Sequence, residues 1–410
     1  MSHSSPAHPR SHQQLGVELD LFHFSPEAAG CFWHPRGQRM REALLGLWRE
    51  QLACEGFEEV CTPVLHSASS WEASGHLDKY SDDMYLFSHG ERGWGLKPMS
   101  CPAHMAIFGS RLRSWRELPV RFAEAGLVHR NEPSGSLLGL LRARQFVQDD
   151  SHLFCAPDQV GAEVARCLEM SREAYRLLGL EISAQLSLRP ALSFGSEQDW
   201  AKAQAALREG LRAAGVDAHE VRGEGAFYGP KIDLFADDAL GRRWQMGSVQ
   251  LDLQLPVRLG LSYVGPDNAA HHPWVLHRAG FGSIERMVAI MLEASQGDLP
   301  VWCAPVPVMV VPLDDEASRA HAVAVAGSLR QRRVGVEVEA GAGGLGARIR
   351  RAVKARAPYM LIIGPDEAAQ GAVQVRMRGA SASDQRPWGE VLDEIGRAAS
   401  DRASSPLEVA

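Results

Sequence analysis

Six residues at alternate positions, Arg142, Arg144, Phe146, Gln148, Asp150 and His152, bring together two guanidinium groups, an aromatic ring, an amide, a carboxylate and an imidazole. Side chains of a β-strand point to opposite faces in turn, so in a regular strand these six share one side. Such a side can hold an anion, stack on a ring and ligate a metal. The intervening Ala143, Val147 and Leu153 are apolar, as on a strand packed against a core. Arg130, in HRNEPSG, adds a third guanidinium at the entrance to the preceding loop. Planar guanidinium groups bind phosphate oxygens bidentately, so the cluster suits a polyphosphate. The plainer alternative is an amphipathic edge hairpin whose polar side faces water.

A face of this kind needs a hairpin to carry it. LPVRFAEAGLVHR and RARQFVQDDSHLF read as two antiparallel strands around a loop rich in Asn, Pro, Ser and Gly. Further on, GEGAFYGPKIDLFADD and GRRWQMGSVQLDLQLP read as a second strand pair, polar on one face at Lys231, Gln245 and Gln250. Gly223, Gly225 and Gly229 would let a substrate approach the backbone there. No GxxxxGK[ST] phosphate loop is present. HRAGFGSIER leads into a helix, placing Gly282 and Ser283 at an anion-favouring N-terminus and Arg286 one turn in. Cys101 precedes a proline that could open a helix, and a single cysteine is most often a small buried hydrophobe. His76, beside a glycine in WEASGHLDKY, reads by default as a solvated loop side chain.

The remaining chain supplies scaffold. Residues 1–25, rich in Ser, His, Pro and Gln, read as a flexible tail without a role, and 399–410 as a second tail. Apolar residues from Met40 to Leu52 recur at helical spacing, and FEEVCTPVL follows as a strand ending at Pro63. Helices are expected from about Pro157 to Leu180 and after Ser196, with the strand EISAQLSLRP between them. At LPVWCAPVPVMVVPL the composition changes, and strands then alternate with helices as in a small α/β domain. Arg348, Arg350, Arg351, Lys354 and Arg356 form its basic stripe, either a solvated helix face or a surface for RNA phosphates.

Composition sets outer limits. The 410 residues, 45% hydrophobic and 23% charged, fit two domains of an ordinary soluble protein. A net charge of -7 leaves nucleic-acid contacts to local patches. No apolar run reaches the roughly 20 residues that span a bilayer, and no signal-peptide core opens the chain, so a cytoplasmic location without membrane contact is expected. Seven cysteines without a CxxC pair argue for reduced thiols.

The segment HRNEPSGSLLGLLRARQFVQDDSHLF closely resembles motif 2 of class II aminoacyl-tRNA synthetases, in the form typical of threonyl-tRNA synthetases. KPMSCPAHM, GEGAFYGPKID and HRAGFGSIER match the same family in the same order, the last at motif 3. The helix and strand ending at Pro63 resemble motif 1, which builds a dimer interface in the family and so implies a homodimer. The resemblance implies an α/β (α+β) fold: an antiparallel sheet flanked by helices over 26–300, then an anticodon-binding domain over 301–398. It also implies zinc, one per chain, held by Cys101, His152 and His277, a thiolate and two imidazoles too far apart in sequence for spacing to reveal.

The same resemblance distributes the site residues. Arg130 would hold the α-phosphate of ATP, Phe146 stack on adenine, Glu132 read its edge, and Arg286 cover its other side and the γ-phosphate. Arg142, Gln245 and Gln250 complete the ATP set, with magnesium bridging the phosphates, and Lys231 joins Arg130 and Arg286 among the catalytic groups. L-Threonine would meet Met99, Gln148, Asp150, Tyr228 and Ser283. His76 matches a histidine near the terminal ribose of tRNA, implicated in transfer. Glu367, Arg376 and Arg356 match anticodon positions.

Two departures carry expectations of their own. The sequence AGAGGLGARIR stands where the family has a charged, Asn-containing loop, which implies lost anticodon contacts. The N-terminal domains of typical bacterial members, including one that hydrolyses seryl-tRNA, have no counterpart, which implies activity without editing in cis. Two other readings stay open. One is a specialised paralogue, either insensitive to an inhibitor or supplying activated threonine to a biosynthetic pathway or carrier protein. The other is a non-catalytic RNA-binding or regulatory protein.

Overall fold

The computed structural model describes residues 9–238, 240–380 and 382–403. Helix α1 (His12–Leu19) is capped by Ser11, whose hydroxyl accepts the Gln14 N–H while the Gln14 side chain accepts the Ser11 N–H. Leu15, Leu19, Leu21 and Phe22 are buried in the main core. The expected flexible tail is thus corrected over 9–25. A helix of this length is marginal by itself and gives little periodic signal, but a few apolar side chains suffice to dock it on a core. Residues 1–8 and 404–410 of the two expected tails lie outside the described residues.

Helix α2 (Pro35–Cys54) opens with proline in its first turn and buries Met40, Leu44, Leu47, Trp48 and Leu52, as the spacing predicts. The strand expected from FEEVCTPVL shrinks to β1 (Glu58–Glu59). Beyond it the Thr62 N–H donates to the Glu124 carboxylate, 2.8 Å away, instead of continuing the ladder.

The chain then lays down α3 (Cys101–Gly109), β2 (Val120–His129), β3 (Gln145–Cys155), α4 (Val160–Leu177), β4 (Ser183–Ser187), α5 (Glu197–Ala213), β5 (Ala218–Val221), β6 (Lys231–Asp237), β7 (Arg243–Asp252), β8 (Trp274–Ala279) and α6 (Ile284–Ser295). The eight strands form one sheet in the order β5-β4-β6-β7-β8-β3-β2-β1. Only the two edge pairings are parallel. Val147, Leu153, Ile232, Leu234, Val249, Leu251 and Leu276 pack beneath α2, α4, α5 and α6. Their strand neighbours Phe146, Gln148, Asp150, Lys231 and Gln250 line a cavity on the opposite face. With a period of two, a one-residue slip would exchange the faces, so burial of the apolar set fixes which side chains meet the cavity.

A second core follows. Strands β9 (Val308–Pro312), β10 (Val336–Val338), β11 (Tyr359–Ile363), β12 (Ala372–Met377) and β13 (Asp384–Pro387) make a sheet ordered β10-β9-β11-β12-β13, parallel across the first three. Helices α7 (Glu316–Gln331), α8 (Leu345–Lys354), α9 (Pro365–Gln370) and α10 (Trp388–Ser400) accompany it. The units meet where Arg36 of α2 forks onto Glu337 and where Arg402 pairs with Glu50. Among the described residues, no helix is long and apolar enough to cross a membrane.

Candidate active site

The cavity holds about 310 Å³ and is walled by β3, β6, β7, β8 and the start of α6. At one end Arg130, Arg142, Arg286 and the Phe146 ring line the cavity, and the Arg286 guanidinium lies 5.6 Å from the centroid of the Trp244 ring. The Arg130 guanidinium lies 5.2 Å from the Phe146 ring's centroid, and its Nε donates to the Pro98 carbonyl at 3.2 Å. Arg142 pairs with Glu132 at 2.7 Å. Arg286 Nε donates to the Leu141 carbonyl at 3.0 Å, and another guanidinium N–H donates to the Gln245 carbonyl. Burial, reinforced by Arg130 and Arg142, pulls Arg286 down to about 10, so it stays a cation at neutral pH. A half-buried cation crowded by two others describes a site electrostatically short of an anion. Arg144 departs from the expectation. The regular pleat begins at Gln145, and Arg144 turns away to the Glu132 carbonyl and the Ser134 hydroxyl.

At the other end stand Cys101 of α3, His152 of β3 and His277 of β8, all buried, with donor atoms within 4.8 Å of one another. Pairing of β3 with β8 sets the two histidines opposite each other. Their outer nitrogens are occupied: His277 Nε2 lies 3.1 Å from the Asp252 carboxylate, and His152 Nδ1 lies 2.8 Å from His104 Nδ1. His104 Nε2 in turn lies 3.3 Å from Glu124, which also takes hydrogen bonds from Lys97 and Thr62. If each carboxylate accepts an N–H, both inner nitrogens, His277 Nδ1 and His152 Nε2, carry lone pairs. They face each other at 3.0 Å. Two lone pairs and a thiol facing one buried point fit a metal cation, with the outer contacts orienting the ligands.

Between the two ends lie the groups expected to bind the amino acid: Met99, Gln148, Asp150, Tyr228 and Ser283. Asp150 accepts the Ser100 N–H at 2.7 Å, and burial raises its carboxyl pKa. Tyr228 donates to Gln250, and Lys231 pairs with Asp233 at 2.8 Å. Ser283 is also the N-cap of α6, its hydroxyl accepting the Arg286 N–H at 3.0 Å.

Other expectations need correction. His76 is fully buried, with Nδ1 on the Ser74 hydroxyl and Nε2 3.1 Å from Met99 Sδ. Burial lowers its pKa to about 4, so the ring is neutral as expected, and its partner Met99 lines the cavity while the ring itself does not. Gly225 and Gly229 admit this chain's own backbone and no ligand, since an added Cβ would lie 2.7 Å from the Leu188 carbonyl and 1.8 Å from the Leu251 carbonyl. The basic stripe is largely occupied. Arg348 is buried and donates to the Gly341 and Pro312 carbonyls, Arg351 holds Glu339 and the Ala342 carbonyl, and Arg356 pairs with Asp298 at 2.9 Å. Glu367 accepts the Gly364 N–H at the start of α9, and Arg376 donates to the Ala380 carbonyl.

Sequence reasoning missed several groups. Tyr80, Leu140 and Arg278 line the cavity. Asp149 accepts N–H groups from Gly280, Phe281 and the Trp48 indole, and forms an ion pair with Arg278 at 3.2 Å. The acidic pair Asp149–Asp150 was the one available signal, since a strand sends adjacent carboxylates to opposite faces.

Comparison with known proteins places this geometry. A model of the tRNA synthetase class II core domain (G, H, P, S and T) matches residues 85–295, just over half the chain, and an anticodon binding domain matches 307–397. A threonine–tRNA ligase of Carboxydothermus hydrogenoformans is 41% identical over 390 residues, and one of Gluconacetobacter diazotrophicus is 44% identical over 382. These alignments take in 95% and 92% of this chain but only 61% and 59% of those relatives, so the chain spans about three fifths of their length. The crystal structure of the RNA binding domain of threonyl-tRNA synthetase from Cryptosporidium parvum Iowa II superposes with a TM-score of 0.91 at 38% identity, covering 94% of this chain and 98% of that one. Giardia lamblia prolyl-tRNA synthetase, at 17% identity and a TM-score of 0.73 over 96% of this chain and 82% of its own, shares the fold. Carrying the class II core, the anticodon-binding unit and this degree of identity, the chain belongs to the threonyl-tRNA synthetase family of class II aminoacyl-tRNA synthetases.

Proposed function

We propose that this chain joins L-threonine to tRNA in two steps, activating it with ATP as an adenylate and then transferring it. The observation that carries the reading is one cavity lined by three guanidinium groups and an aromatic ring at one end and meeting a thiol with two imidazoles at the other. In this reading Phe146 and Arg286 sandwich adenine, Glu132 reads its edge, and Arg130 holds the α-phosphate. Arg142, Gln245 and Gln250 support the rest of the nucleotide, which brings its own Mg2+. The threonine carboxylate attacks the α-phosphorus, pyrophosphate leaves, and the guanidinium groups with Lys231 stabilise the charge that develops.

Asp150 accepts the threonine hydroxyl, with Met99, Gln148, Tyr228 and Ser283 around it. Cys101, His152 and His277 would hold zinc, which would supply a Lewis acid to the amino and hydroxyl groups of the substrate. Valine offers no hydroxyl to a buried polar site and is rejected by a large factor, whereas serine lacks only a methyl, worth about 1 to 3 kcal/mol. His76, whose ring lies against the cavity-lining Met99, is the candidate for the transfer step. A homodimer through the α2 region and a cytoplasmic location complete the proposal. Glu367 and Arg376 remain its anticodon candidates.

The test is amino-acid-dependent exchange of pyrophosphate into ATP. Exchange should be strong with threonine, weaker with serine and near background with valine. Arg130→Ala should lower it by at least about 100-fold, as expected on removing a preorganised charge stabiliser. A folded protein that shows no exchange with threonine would point instead to a non-catalytic RNA-binding role.

A further inference from the structure

We infer that His12, in the first turn of α1, is a positioning residue of the nucleotide end of the cavity, acting through the turn at Leu140 and Leu141. The inference rests on the ATP-binding reading of that end. His12 is 1% exposed. Its Nδ1 lies 2.7 Å from Glu293 Oε1 on α6, and its backbone N–H donates to the same oxygen at 2.9 Å. With Nδ1 donating to the carboxylate, Nε2 is left as an acceptor, and it takes the Leu140 N–H at 3.2 Å.

Leu141 closes the circuit. Its carbonyl accepts the Nε of Arg286, 3.0 Å away, so one imidazole joins α6 near its end to the turn that orients the arginine near its start. Gly139 shows that the turn is fitted to the ring. It sits at φ +53°, and an added Cβ would stand 2.5 Å from His12 Nε2. The contacts therefore run from α1 through His12 to Leu140 and Leu141, and from there to Arg286.

Two substitutions separate positioning from mere support. In His12→Gln the amide oxygen sits near the place of Nε2 and can accept the Leu140 N–H, while the bond to Glu293 is lost. In His12→Asn the amide sits near Nδ1 and can donate to Glu293, while Leu140 is left without a partner. Steady-state pyrophosphate exchange should show KM for ATP raised about fivefold to tenfold in His12→Asn and His12→Ala, the scale of one lost hydrogen bond. KM for threonine should change less than twofold, and His12→Gln should stay within twofold of the wild type for ATP. Thermal unfolding of each variant controls for loss of fold. ATP affinity that follows stability, with Asn rescuing better than Gln, would overturn the inference, as would an unchanged KM for ATP in His12→Ala. Absence of exchange in the wild-type protein would instead defeat the functional reading on which it rests.

Discussion

Glu285, the second residue of α6, is fully buried and accepts the Val147 N–H at 2.9 Å, tying the helix to the strand that carries Phe146 and Gln148. Burial pushes its pKa up to about 7 from 4.5, against the pull of its backbone hydrogen bonds and Arg41. The folded protein therefore binds this proton more tightly than the unfolded chain does. The stability it contributes is whole below about pH 4.5 and is lost as pH rises to about 7. A gap of this size corresponds to about 3 kcal/mol. Glu285→Gln keeps an amide oxygen for the Val147 N–H and cannot ionise. It is expected to exceed the wild type in stability by about 2 to 3 kcal/mol at pH 8 and to converge with it near pH 4.5. Urea unfolding across that range decides, and parallel curves would mean that Glu285 ionises as freely folded as unfolded. Nothing in GSIER signals this burial, because a first-turn glutamate equally describes a solvated residue favoured by the helix dipole.

The candidate metal centre is a property of elements, since α3, β3 and β8 would each contribute one donor. An ion bound there links segments that are separate in the unfolded chain, so its binding energy is also folding energy. The purified protein is expected to carry about one zinc per chain and to lose it in Cys101→Ala. Chelation should lower the unfolding temperature, since a metal at a thousand times its Kd adds about 4 kcal/mol. Full zinc occupancy in Cys101→Ala, measured by elemental analysis, would remove the site. What the sequence made legible here follows from periodicity. Alternation in β3 put Phe146, Gln148, Asp150 and His152 on one face, and the structure has the first three on the cavity and His152 in the ligand set. Arg142 and Arg144 both precede the pleat, so alternation does not govern them, and Arg144 is held instead by the Glu132 carbonyl and the Ser134 hydroxyl. The triad has no local signature, since its members meet only through sheet register, and resemblance alone brought them together. His12 was illegible for a related reason: an eight-residue helix gains its order from the core it docks on.

At the scale of the whole molecule, two large cores interleave near residue 300, where Val301 packs in the second while Cys303 and Ala304 pack in the first. The second unit spends much of its charge internally. Arg348 and Arg351 hold the loop from Gly341 to Gly344, whose side chains offer no base-reading group. Arg356 is paired with Asp298 at the junction, so of the basic stripe Arg350 and Lys354 alone make no ion pair among the described residues. Those two suit phosphate contacts, which position RNA without reading its sequence. Base reading is left, in the proposed function, to Glu367 and Arg376, which here hold the Gly364 N–H and the Ala380 carbonyl. Charging of threonine tRNA is therefore expected to proceed with weakened discrimination among anticodon variants, each missing base contact relaxing selectivity by about 1 to 3 kcal/mol. Since serine differs from threonine by a methyl, seryl-tRNA made by this chain alone is expected to accumulate, and to disappear when an editing enzyme is added. Both expectations meet in one experiment, in which wild-type and anticodon-substituted tRNA are charged with threonine and with serine, with and without that enzyme. A tenfold or greater preference for the natural anticodon at every substituted base would show that the glycine loop reads RNA through its backbone. Serine product cleared without the added enzyme would place a hydrolytic activity within these 410 residues.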